Sequence, residues 1–203
     1  MHHRSRMSQK TLRLVGTAIL AAIVVVLTIF CTFVRFGPFS ITLALAPIII
    51  GGAMFGCASG AILGGVFGLV VLITGLVGWD GGTVLYLMSL NAAATVALCL
   101  VKGTAAGWLA SLVYKAIEKK STLAAVITAG VVCPVVNTGL FILGMMAFFM
   151  DTLSGWAAGS GQNLMAYLIL TLTGVNFLIE LAVNLLLSTG ITRIIRAGRK
   201  ELG

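Results

Sequence analysis

The sequence predicts an all-α integral membrane protein with six transmembrane helices and both termini cytoplasmic. Three observations predict it. Of 203 residues, 60% are hydrophobic and only 9% charged, and the mean hydropathy is +1.14. Apolar runs of about 20 residues mark spanning helices, and six such passages use nearly the whole chain, leaving no room for a soluble catalytic domain. Eleven of the thirteen cations gather at three junctions: Arg4, Arg6, Lys10 and Arg13; Lys115, Lys119 and Lys120; Arg193, Arg196, Arg199 and Lys200. The positive-inside rule puts all three in the cytoplasm, so the number of spans is even. The same clustering argues against nucleic acid as the reason for the +8 net charge.

Taken in order, residues 1–6 read as a tag remnant ahead of a natural start at Met7, and residues 7–203 as a single membrane domain. The first span, about Thr11–Val34, shows no cleavage site and is retained; Arg35-Phe-Gly-Pro-Phe39 ends it, because Gly37 and Pro38 break a helix. The second, about Ile41–Phe55, is short and contains Pro47. The third covers about Ala58–Gly75. Glycines recur at every fourth position across these two (Gly52, Gly56, Gly60, Gly64, Gly68), the spacing that lets helix backbones approach closely in lipid. A glycine-rich outer loop, Leu76–Asn91, carries Trp79 and Asp80. The fourth span runs about Ala93–Ile117. The fifth, about Thr122–Phe149, contains Pro134. A second outer loop, Asp151–Asn163, carries Trp156, and the sixth span covers about Leu164–Ile195.

Apart from Ser and Thr, polarity within the spans is concentrated in the last three. Thr173, Asn176, Glu180 and Asn184 fall within an arc of roughly 80° on the sixth span. A carboxylate near the bilayer midplane costs about 2.5–3.5 kcal/mol on insertion scales, so this stripe faces protein or a wet cavity. It serves either as helix–helix glue or as a ligand- or ion-contacting surface. Lys102 lies about ten residues into the fourth span, near 15 Å from its outer end. It can snorkel outward, pair with Glu180 or meet an anionic ligand. Asn137 offers two donors and an acceptor to a ligand, or satisfies a carbonyl freed by Pro134. Asn184 lies deeper and suits glue. Trp79 and Trp156 fit an interfacial aromatic belt, or two lids on one side.

Enzymatic readings find little support. The only histidines are His2 and His3, at the presumed tag, so no Ser/His/Asp set exists. Five acids offer no metal-binding cluster, and no lysine follows a glycine, so a Walker A loop is absent. Cys31, Cys57, Cys99 and Cys133, spaced by 26, 42 and 34 residues, match no zinc or disulfide pattern and read as buried small hydrophobes. No catalytic residue, metal or cofactor is expected.

These features resemble the substrate-binding S component of energy-coupling factor (ECF) vitamin transporters over the whole stretch 7–200. The likeness is carried by six helices with both ends cytoplasmic, the short proline-containing second span with its glycines (Ile41–Gly56), outer loops after spans 1, 3 and 5, and Leu100-Val-Lys-Gly103. Ala18-Ile-Leu-Ala-Ala22 is similar to the family's AxxxA contact motif for the T component. The resemblance implies capture of a vitamin or cofactor precursor on the outer face, pantothenate favoured and folate next, with Trp79, Asn91, Lys102, Asn137, Asn176 and Glu180 as substrate-binding candidates. It implies a T component docked at Ala18 and Ala22, two ABC ATPases as partners, and a multi-pass location, surrounded by lipid, in a bacterial or archaeal plasma membrane. Two other classes remain: a self-sufficient secondary transporter with Glu180 as proton site, and a structural or assembly protein whose stripe binds no small molecule. The topology is testable. A cysteine placed at Asp80 or Asp151 is expected to react with an impermeant maleimide in intact cells, and one near either terminus is not. The opposite pattern inverts the orientation.

Overall fold

The computed structural model describes residues 9–33, 35, 36, 39, 40 and 43–202; side chains are described for all of these except 35, 36, 39, 40, 172, 173, 175, 176 and 199–202. The presumed tag, Gly37 and Pro38 therefore lie outside the described residues. The described chain is helical apart from a two-residue antiparallel pairing, β1 (Arg35–Phe36) with β2 (Phe39–Ser40), in which Arg35 faces Ser40 and Phe36 faces Phe39. The helices are α1 (Gln9–Thr32), α2 (Leu45–Phe55), α3 (Cys57–Leu76), α4 (Thr83–Leu90), α5 (Ala92–Ile117), α6 (Thr122–Phe148), α7 (Met150–Gly159), α8 (Leu164–Ala166) and α9 (Val175–Leu202). A π-helical segment, Tyr167–Gly174, joins α8 to α9.

Five of these helices are long and apolar enough to cross a membrane: α1, α3, α5, α6 and the stretch Phe177–Gly198 within α9. The expected second span is shorter than that. α2 has 11 residues, or about 16 Å of helix against a hydrocarbon core of about 30 Å. Pro47 is accommodated because it sits in the first turn, where an N–H has no intrahelical partner to lose. Lys10, Arg13, Lys115, Lys119, Lys120, Arg193 and Arg196 collect at one end of the bundle, here the basic end. Trp79, Asp80, Asp151 and Trp156 collect at the other, the tryptophan end.

The two stretches expected as loops each contain a helix. α4 forms because Thr83–Leu90 holds no glycine and Asp80 serves its exposed N-terminal donors: Gly82 N–H donates to Oδ1 at 2.9 Å and Val84 N–H to Oδ2 at 2.7 Å. Gly78, Gly81 and Gly82, all with positive φ, make the turn that aims the carboxylate there. α7 likewise opens with Asp151 in its first turn. Asn91 then caps α5, accepting from Ala94 N–H at 3.0 Å.

The glycine stripe packs as its spacing predicts, and the structure supplies its partners. α3 and α5 run antiparallel with Gly60 against Gly107, Gly64 against Gly103, and Gly68 against Cys99; a Cβ at any of the three α3 glycines would collide with a carbonyl oxygen across the seam. Gly52 and Gly60 both close on Ser111, whose hydroxyl donates to Gly107 O at 2.6 Å. Gly56 is different in kind. Its φ of +97° breaks α2 from α3, so it marks the turn rather than the seam. Around this contact lies the main core, including Leu45, Ile48, Ile49, Leu63, Tyr114 and Ile195. Of the four free cysteines, Cys31, Cys99 and Cys133 are buried as expected, but Cys57, beside the α2–α3 break, is only half-buried.

Gly64→Leu is expected to force α3 and α5 apart and destabilise the protein by about 1–3 kcal/mol or more. Gly139→Leu, where a Cβ meets nothing within 4 Å, is expected to be tolerated. Thermal unfolding in detergent distinguishes them; equal midpoints would remove the seam from the account of stability.

Candidate functional site

The interior polar groups come together between α6 and α9, and Pro134 determines how. Proline has no N–H, so the carbonyl four residues earlier, Gly130 O, loses its usual helical donor. In hydrocarbon such an orphan must find a partner inside the protein. Asn184 supplies it: its Nδ2 donates to Gly130 O at 3.3 Å. Gly130 and Asn184 face each other directly, since a Cβ on Gly130 would stand 3.5 Å from Asn184 Cβ, an ordinary van der Waals contact. Asn184 is therefore an interhelical bridge, the glue its depth suggested. The carbonyl freed by Pro134 is claimed by this residue and not by Asn137.

Asn137 is left for something else. It is only 7% exposed, and its Oδ1 is buried with no hydrogen-bond partner among the described residues. A buried amide oxygen without a donor costs about 1–3 kcal/mol. Glu180 lies one turn from Asn184 on the same face of α9, 5% exposed, with Cys31 of α1 and Cys133 of α6 in electrostatic reach. The antiparallel register fixed by Gly130 and Asn184 brings Asn137 within about a turn of Glu180 in height. α9 continues its buried polar line toward the basic end through Ser188 and Thr192, whose hydroxyls donate to Leu185 O at 2.6 Å and Ser188 O at 2.7 Å. These two were not anticipated, although the fourfold spacing 180, 184, 188, 192 signals them. Of the remaining stripe, the side chains of Thr173 and Asn176 lie outside those described. Thr173 also stands in the π-helical segment, where an extra residue per turn shifts it from its α-helical projection.

Lys102 stands nearer the tryptophan end, half-buried on α5, with Nζ 4.8 Å from the ring centroid of Phe141. An ammonium on an aromatic face away from bulk water is favourable by up to about 2 kcal/mol. Phe141 is one helical turn from Asn137, so the cation and the orphan oxygen occupy successive levels of the α5–α6 interface. Above them a second apolar cluster closes the tryptophan end, built from Leu87, Leu98, Met145, Phe149, Leu153 and Tyr167 among others. Tyr86 of α4 and Trp156 of α7 meet across this roof at 6.3 Å between ring centroids. Trp79 packs at 5.5 Å against Phe33, just past the end of α1. Asn91 is exposed, with its Oδ1 engaged as the α5 cap.

Asn137 and Glu180 are thus buried at neighbouring levels, Lys102 stands over Phe141 nearer the tryptophan end, and Trp79 and Asn91 lie at that end. Ala18 and Ala22 lie far from this group, exposed on α1. A family model described as "ECF transporter, substrate-specific component" matches residues 12–192. A comparison with curated proteins found no match.

Proposed function

The chain belongs to the substrate-specific components of ECF transporters, and we propose that it captures a carboxylate-bearing vitamin or cofactor precursor, pantothenate before folate, for import. Family membership makes it a multi-pass protein of the cell membrane and implies a small-molecule substrate, a T component and ABC ATPases. In this reading the chain is a binding subunit, not an enzyme, and two ATPases drive transport. α2 serves as the sixth passage, both termini are cytoplasmic, and the tryptophan end faces outward. Residues 7–203 act as one domain.

One observation carries the assignment of the site: the buried acceptor Asn137 Oδ1, which has no donor among the described residues. A ligand hydroxyl or amide N–H satisfies it and recovers the cost of its burial. Lys102, half-buried over Phe141, meets the ligand carboxylate one turn further out. Glu180 and, by its place in the sequence stripe, Asn176 are the further polar candidates, and Trp79 and Asn91 those of the entrance. Pantothenate offers the matching set: a carboxylate at one end, an amide, and two hydroxyls. Entry requires the α4–α7 roof to part. Ala18 and Ala22 give α1 a small-residue face onto which a T-component helix docks closely.

Native mass spectrometry of the purified protein is expected to reveal a co-purified vitamin. With that vitamin, calorimetry is expected to show Lys102→Met weakening binding at least tenfold, since removing one partner of a buried charge pair costs about 2–5 kcal/mol. Asn184→Ala, below the site, is expected to lower stability by about 0.6–1.7 kcal/mol with little change in affinity. A folded Lys102→Met protein binding at full strength rejects the carboxylate pocket.

The docking surface has its own test. Ala18→Leu combined with Ala22→Leu is expected to abolish co-purification with the T component while leaving vitamin binding intact. Undiminished co-purification removes α1 as the docking helix.

A further inference from the structure

At the basic end, α1 and α3 leave a groove of about 450 Å³ between them. Leu14 and Ala21 of α1 and Ala58 and Ile62 of α3 give it apolar walls. The hydroxyls within it are engaged: Thr17 Oγ1 donates to Ser59 Oγ at 3.1 Å, and Ser59 Oγ to Phe55 O at 3.4 Å. The mouth is cationic. Lys10 and Arg13 line it, and Lys115 reaches over from α5. Arg13 Nη2 and Lys115 Nζ converge on the α2–α3 turn, 3.6 and 3.5 Å from where a Cβ of Gly56 would stand.

We propose that this groove holds one anionic phospholipid, its phosphate among Lys10, Arg13 and Lys115 and one acyl chain along the α1–α3 walls. Charge and polarity are arranged for that molecule. Cations stand only at the end where the chain leaves the hydrocarbon, and an apolar channel continues from them toward the bilayer centre for about 12 Å, the rise from Arg13 to Ala21. Basic pockets between membrane helices suit phosphate head groups, and an aliphatic chain fills a wall that offers no free polar group. A zwitterionic lipid would bring its own cation to the same mouth. Ala18 lines the groove as well, so a lipid seated there and a helix docked on Ala18 exclude one another.

The test titrates the purified protein with phosphatidylglycerol and phosphatidylcholine of equal chain length and counts retained lipids by native mass spectrometry. One phosphatidylglycerol is expected to be retained over phosphatidylcholine by roughly 100-fold, each of the three cations contributing about fivefold. Lys10→Gln with Arg13→Gln is expected to reduce that preference to about fivefold, the share of Lys115. Lys119→Gln with Lys120→Gln, at the same end but off the groove, is expected to leave it unchanged. Ala58→Trp fills the groove without touching a cation and is expected to expel the lipid, so the proposal stays decidable if the charge variant does not fold. Equal retention of both lipids, a preference that follows Lys119 and Lys120, or full retention in Ala58→Trp each overturns it. Retention of neither lipid by the free protein assigns the groove to a partner helix instead.

Discussion

The close approach of α3 to α5 is the constraint on which the bundle rests. In a bilayer the helices gain nothing by hiding apolar side chains from lipid tails, so contact area and backbone proximity must hold them together. Glycines on both helices place carbonyl oxygens of one against Cα atoms of the other along three successive turns. That seam fixes the rotation of α5. Ser111 and Tyr114 then point into the core around α2, and Lys102 turns toward α6. Lys102 meets α6 because it stands one residue, about 100° of helix rotation, from Gly103 at the α3 seam.

The second constraint is the accounting of backbone hydrogen bonds. Pro134 deprives Gly130 of a donor, and Asn184 answers from α9. A residue whose chemistry suits ligand binding is thereby committed to architecture. Asn137, three residues past the proline and buried to a similar degree, is left with an unanswered oxygen. The two asparagines differ in whether a partner of the right polarity stands opposite, not in composition or depth.

Much of this was legible in the chain. α3, α5 and α6 begin and end within a residue or two of where the apolar runs, Asn91 and Ser121 indicate. The glycine stripe announced a packing seam, but its other half was not recognised: Gly103 and Gly107 share the fourfold spacing on a helix far along the chain. α4 and α7 were hidden by the glycines that flank them. The cue was the acids, Asp80 and Asp151, each at a helix start, because a carboxylate among unpartnered N–H groups is a beginning rather than a loop tip. The π-helical segment left no trace, as its composition equals that of the α-helix it interrupts. The orphan carbonyl at Gly130 could be inferred from Pro134, but its donor could not, because choosing between two asparagines requires knowing which part of α9 lies opposite.

The shortness of α2 has a geometric consequence. The half of the bundle near the basic end is built on six helices, and the half near the tryptophan end on five long ones with α4 and α7 laid over them. The tryptophan half therefore has one helix fewer crossing it than the basic half. In the proposed reading a small molecule takes the room that further turns of α2 would otherwise fill, so the cargo acts as a removable piece of the protein's own interior.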